Sequence, residues 1–174
     1  PKMKSNVDEA NFHNIYRLEY RDTNQIKYFL DLYKIMKKEK YDVIHVNGQS
    51  ATMSVEMLAA KLAGCKLRVA HSHNSRCLHK KAHNMLKPLF NATYNDAIAC
   101  SKEAGDWLFG DKPYWILNNG IDIDKYKFST TTRTEFRKKL KLSDKDIAVC
   151  HVGAFEPWKN HKFLIDVFDE IKKE

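Results

Sequence analysis

Residues 41–75, YDVIHVNGQSATMSVEMLAAKLAGCKLRVAHSHNS, decide the fold. The apolar run YDVIHV (41–46) ends on the turn residues Asn47 and Gly48, as a short buried strand does. Residues 51–63 then change to helical spacing, with Met53, Met57, Leu58 and Leu62 on one face and Gly64 as a stop. A second apolar run follows at LRVAH (67–71). A helix between two strands is the crossover that parallel pairing requires, whereas antiparallel partners need only a tight turn.

The same unit recurs on both sides. Thr23 to Glu39 carries Ile26, Phe29, Leu30, Tyr33 and Met36 at helical spacing, with lysines at its carboxyl end, where the helix dipole favours them. Leu78 to Tyr94 reads as a helix that Pro88 bends or divides. DAIAC (96–100) is a third strand, Ser101 caps a short helix ending near Gly110, and YWIL (114–117) is a fourth strand closed by NNGID. Further on, a helix begins near Thr132, IAVCHVGAF (147–155) reads as a fifth strand, and Asn160 starts a last helix through Phe163, Leu164, Val167, Phe168 and Ile171. Such alternation predicts an α/β fold with a doubly wound, Rossmann-like parallel sheet covered on both faces. KFSTTTRTEF (127–136) reads as a linker, which sets a boundary near Phe128 between residues 1–127 and 128–174.

A hydrophobic content of 43% against 30% charged residues excludes a disordered chain. No apolar run approaches the ~20 residues of a membrane-spanning helix, and no signal-peptide pattern opens the chain. Cys65, Cys77, Cys100 and Cys150 are scattered without metal-ligand spacing; Cys100 and Cys150 lie in apolar runs and read as small core residues in a reducing, cytoplasmic compartment. The net charge of +8 favours an anionic partner, although lysines such as Lys37, Lys38 and Lys40 also read as solvated helix ends. No nucleic-acid motif is present, so nucleic acid is not the expected partner.

Three stretches carry chemistry. HVGAFEPWKNHKFL (151–164) combines a strand, Gly153, a loop with Lys159 and a helix start, which together can hold a phosphate. The plainer alternative is a solvent-facing lysine. HSHNS (71–75) puts His71 and His73 on one side of an extended strand, so their roles are interchangeable, and no third ligand makes them a metal pair. Asn119 and Gly120 form a strong turn signal, and Asp122 two residues on can order the hinge. No hydrolase triad is present.

In their order, YDVIHVNG, RVAHSHNS, AIACSKEAGDWLFG, WILNNGIDIDKYKF and HVGAFEPWKNHKFLIDVF resemble the group 1 glycosyltransferases over roughly residues 40–170. These are retaining, nucleotide-sugar-dependent enzymes of the GT-B fold, and the chain is most similar to bacterial members that build capsular polysaccharide or exopolysaccharide. The resemblance implies two facing Rossmann-like domains, with residues 1–127 the later part of the acceptor-side domain. Residues 128–174 would then be the first strand–helix unit of the nucleotide-sugar domain.

It further implies catalytic roles for His73, near the reaction centre, and for Lys159, on the donor diphosphate. Gly153, Asn119, Gly120, Asp122, His45 and Asn47 would contribute to substrate and donor binding. Expected substrates are a nucleotide-sugar and a lipid-linked or glycan acceptor, handled at the cytoplasmic membrane face without cofactor or bound metal. Ala154 departs from the arginine common in the family, a loss of about 1.5–3 kcal/mol of charge-assisted binding. A second reading is therefore a truncated or degenerate domain that binds a nucleotide, a glycan or a partner subunit without catalysis. Apolar side chains on the last helix would pack on the first domain or pair with a second copy, and this chain by itself is expected to have little or no activity.

Overall fold

A computed structural model describes residues 15–18, 21 and 23–172. Four strands, β1 (Val43–Gly48), β2 (Leu67–Ser72), β3 (Asp96–Ala99) and β4 (Trp115–Ile116), form one parallel sheet in the order β1-β2-β3-β4. Among the described residues there are six α-helices: α1 (Gln25–Glu39), α2 (Ser54–Ala63), α3 (Lys80–Thr93) and α4 (Lys102–Phe109) in the part that holds the sheet, then α5 (Thr130–Lys139) and α6 (His161–Ile171). The chain is an α/β protein of Rossmann-like type, as its alternating pattern requires. Contacts divide it into two compact units, Pro1–Ile121 and Asp122–Glu174.

In the first unit the register places Val46 opposite Ala70 and Ala70 opposite Ala97. Small side chains in this row admit large ones from the helices. Met57 of α2, Phe90 of α3 and Leu108 of α4 close over Ala70, Ala97 and Ala99 without solvent exposure. A second cluster joins Met36 of α1 to Ala59 and Ala60 of α2, with Ile44 packed against it. Because side chains alternate along a strand, His45, Asn47 and His71 fall on the opposite face.

Local chemistry explains the helix ends. Asn24, Ser101 and Ser129 each accept a backbone N–H with their side chains at the starts of α1, α4 and α5. Gly64 ends α2 at φ 91, in the left-handed region that glycine adopts without steric cost. Helix α3 runs unbroken through Pro88. Gly105 is needed for space rather than for φ, because a Cβ there would overlap the Tyr114 ring.

The second unit corrects several expectations. Residues 147–155 form no strand, and Ile147, Val152 and Phe155 are highly exposed. A parallel strand needs a neighbour's N–H and C=O groups, and this unit has no other strand among its described residues. The threonine run read as a linker is instead the first turn of α5, because Ser129 Oγ accepts from Thr132 N at 3.2 Å. Cys150 is exposed rather than buried, and Cys100 is only half-buried against the core. Neither Asn119 nor Gly120 adopts a positive φ, so the segment runs on without the expected turn.

Gly105→Ala is expected to destabilise the first unit by about 1–3 kcal/mol, the usual cost of forcing extra volume into a packed contact. Urea unfolding at neutral pH measures it, and pairing the change with Tyr114→Ala should restore most of the loss.

Candidate functional site

Polar side chains gather where β1 and β2 end. Asn47 lies opposite His71 in the ladder, and His73 follows the strand, its N–H bonded to Gly48 O at 3.1 Å. The sheet therefore brings His45, Asn47, His71 and His73 together. His71 is the centre: its ring stacks on His45 at 5.1 Å and lies against His73 at 4.0 Å. His45 Nε2 and His71 Nδ1 share one hydrogen at 3.1 Å. His73 Nε2 is 2.8 Å from Asn47 Oδ1. A carbonyl oxygen only accepts, so His73 donates from Nε2, and in the neutral ring Nδ1 keeps a lone pair for a substrate hydroxyl.

Only 5% of His71 is exposed, and its Nε2 is buried without a partner. A proton there would be an unsatisfied buried donor, whereas donation from Nδ1 to His45 leaves only a lone pair buried, the cheaper state. Burial, followed by the neighbouring His73 and His45, lowers the pKa of His71 to about 4. At neutral pH it is an uncharged spacer that holds the other two rings in place.

Beside the cluster, an open cavity of about 980 Å³ runs along the outer side of β1. Its wall holds Glu56, whose Oε1 accepts from Tyr28 Oη at 3.0 Å and pairs with Arg21 Nε at 2.8 Å. Burial, reinforced by the Glu56 carboxylate, raises the Tyr28 pKa to about 12, so the phenol stays a donor. Glu56 Oε2 is buried without a partner. Sequence reasoning missed this triplet, since 28 residues separate Tyr28 from Glu56 and only the docking of α1 on α2 joins them.

The second unit arranges Lys159 and Gly153 together. The lysine stem passes 3.4 Å from where a Gly153 Cβ would stand, so the two residues are neighbours in this turn. Asn160 turns left-handed at φ 47 and ψ 47, and α6 starts at His161 without a side-chain cap, leaving its first N–H groups to be satisfied from outside. Two further rings, missed from the sequence, surround this turn: His161 lies 4.8 Å from both His151 and Phe155. Asp122 Oδ1 accepts from Asp124 N at 3.2 Å and Lys125 N at 3.4 Å, ordering the chain after NNGID. Asn119 and Gly120 are exposed and lie outside regular secondary structure. Among the described residues, no group of three or more His, Cys, Asp or Glu is placed to hold a metal ion.

A parallel sheet that gathers polar groups at the carboxyl ends of its strands defines a Rossmann-like domain with its ligand crevice at that end. Residues 6–125 match the family described as Glycosyltransferase Family 4, and the chain belongs to that family. It is 27% identical over 152 residues to EpsF of Bacillus subtilis (strain 168), which is named as a glycosyltransferase, covering 80% of this chain and 39% of that protein. It is 25% identical over 152 residues to the Escherichia coli UDP-Gal:alpha-D-GlcNAc-diphosphoundecaprenol alpha-1,3-galactosyltransferase, covering 81% of this chain and 39% of that enzyme. The chain thus spans about two fifths of the length of these relatives.

The depressed His71 pKa has a definite sign. Between about pH 6.5 and 4 the unfolded chain binds a proton there that the folded chain does not, so stability falls as pH drops through this window. From pH 7.5 to pH 5 the expected loss from His71 is about 1–2 kcal/mol. His71→Phe keeps a ring in the stack and should flatten the pH slope of urea unfolding, leaving the part from His83, which burial also holds down.

Proposed function

We propose that this chain is part of a retaining glycosyltransferase that moves a sugar from a nucleotide-sugar to a lipid-linked or glycan acceptor in cell-surface polysaccharide synthesis. The observation that carries the reading is the stacked histidine cluster at the carboxyl ends of β1 and β2 in a chain of this family. The name of the Escherichia coli relative, a UDP-sugar donor and a diphosphate-linked lipid acceptor, supports the substrate classes.

His73 accepts from a sugar hydroxyl through Nδ1 while Asn47 holds the opposite nitrogen. The donor diphosphate gains negative charge as the glycosidic bond breaks. Fixed positive charge at Lys159 and the uncapped N–H groups at the start of α6 stabilise that leaving group. Ala154 supplies no second cation, so in this reading Lys159 carries the diphosphate contact. The chemistry needs no bound metal, and the reaction is assigned to the cytoplasmic membrane face. Among the described residues no helix is long and apolar enough to cross a membrane.

In a chain of the relatives' full length, release of nucleoside diphosphate from a nucleotide-sugar in the presence of a lipid-linked acceptor is the decisive assay. Lys159→Ala should lower kcat about 10²–10³-fold, the usual effect of removing one fixed stabiliser of developing charge. His73→Ala should lower it by about 10²-fold or more. Unchanged turnover in both variants would overturn the reading, and inversion of the anomeric centre in the product would overturn the retaining mechanism.

A further inference from the structure

A second groove, of about 960 Å³, lies between the start of α1 and the start of α3. It shares Arg21, Tyr28, Thr52, Leu78 and His79 with the cavity beside β1, so the two form adjoining chambers with one wall. Both mix apolar and polar side chains: the chamber along β1 adds His45, Asn47 and Glu56 to the shared wall, and the second adds Val55, Met85 and Leu86. Leu78, just before α3, and Met85 within it are 81% and 73% exposed, a large apolar surface to leave in water. Lys80 and Lys81 also line this groove and have no ion-pair partner among the described residues. Arg21, paired with Glu56, closes the third side.

We propose that this groove binds the apolar chain of a phosphate-bearing amphiphile, with Lys80 and Lys81 holding the phosphate. Charge complementarity sets the head group: among the described residues Lys80 and Lys81 line the groove and no Asp or Glu does, while Arg21 at its border is paired with Glu56. The volume lies within the range of about 300–1,000 Å³ typical of ligand sites, which favours a single molecule over a flat bilayer contact. The shared wall gives the head group a path toward His45 and Asn47. The inference rests on the proposed transferase reading only in calling this amphiphile the acceptor; binding itself requires no donor.

Calorimetry on the 174-residue chain with farnesyl diphosphate, inorganic diphosphate and farnesol tests it. Farnesyl diphosphate should bind saturably, at least about 10-fold tighter than either fragment, a difference of about 1.4 kcal/mol. Lys80→Gln with Lys81→Gln, and separately Leu78→Gln with Met85→Gln, should each weaken it about 10-fold or more. All four side chains are exposed, so circular dichroism should show the fold unchanged. Equal affinity for inorganic diphosphate, equal affinity for farnesol, or undiminished binding in both double variants would overturn the proposal. So would binding to phosphatidylglycerol vesicles without saturable binding of farnesyl diphosphate, which would assign the face to a bilayer. No nucleotide-sugar is present, so a failure of the transfer assay leaves this result standing, and the reverse also holds.

Discussion

Parallel pairing that sets Val46 against Ala70 and Asn47 against His71 sorts every side chain of β1 and β2 into two groups. One group meets the helices and is apolar and small; the other carries the histidines. A slip of one residue would exchange the groups, drive His45 and His71 beneath Met57 and Phe90, and expose the alanines. The core is thus what holds the site in place. Full burial of Phe90, Met57 and Leu108 penalises any register other than the one that stacks the imidazoles.

Within that frame the electrostatics divide between the two units. Around β1 and β2, burial keeps His71 neutral, and burial beside Glu56 keeps the Tyr28 phenol protonated. Such a surface suits hydroxyl groups, which need directional donors and acceptors rather than net charge. The turn before α6 is different, with Lys159, two histidines and an uncapped helix start that suit an anion.

The adjoining chambers add a third requirement. Lys80 and Lys81 begin α3, and Leu78 and Met85 occupy the same groove. A phosphate head and an apolar chain satisfy both features at once, where a soluble sugar would leave the apolar floor wet.

The sequence by itself determined the alternation of elements, and with it the parallel class of the sheet. Apolar periodicity located α1, α2, β1, β2 and β3 to within a few residues, and the caps at Ser101 and Gly64 were legible because they depend on neighbours in the chain. The histidines, Asn47, Gly153 and Lys159 were visible as residue types at the ends of predicted elements. Which histidine is buried was not visible: His71 and His73 have the same local pattern, and only stacking against His45 from another strand makes one a spacer and leaves the other open to a hydroxyl. The fifth strand failed for a related reason. IAVCHVGAF has the composition of a strand, but a strand exists only where another backbone offers its hydrogen bonds, and the described part of the second unit provides none. Tertiary structure alone joined Arg21 and Tyr28 to Glu56 and set the two grooves side by side, because these contacts arise from helix docking between residues far apart in the chain.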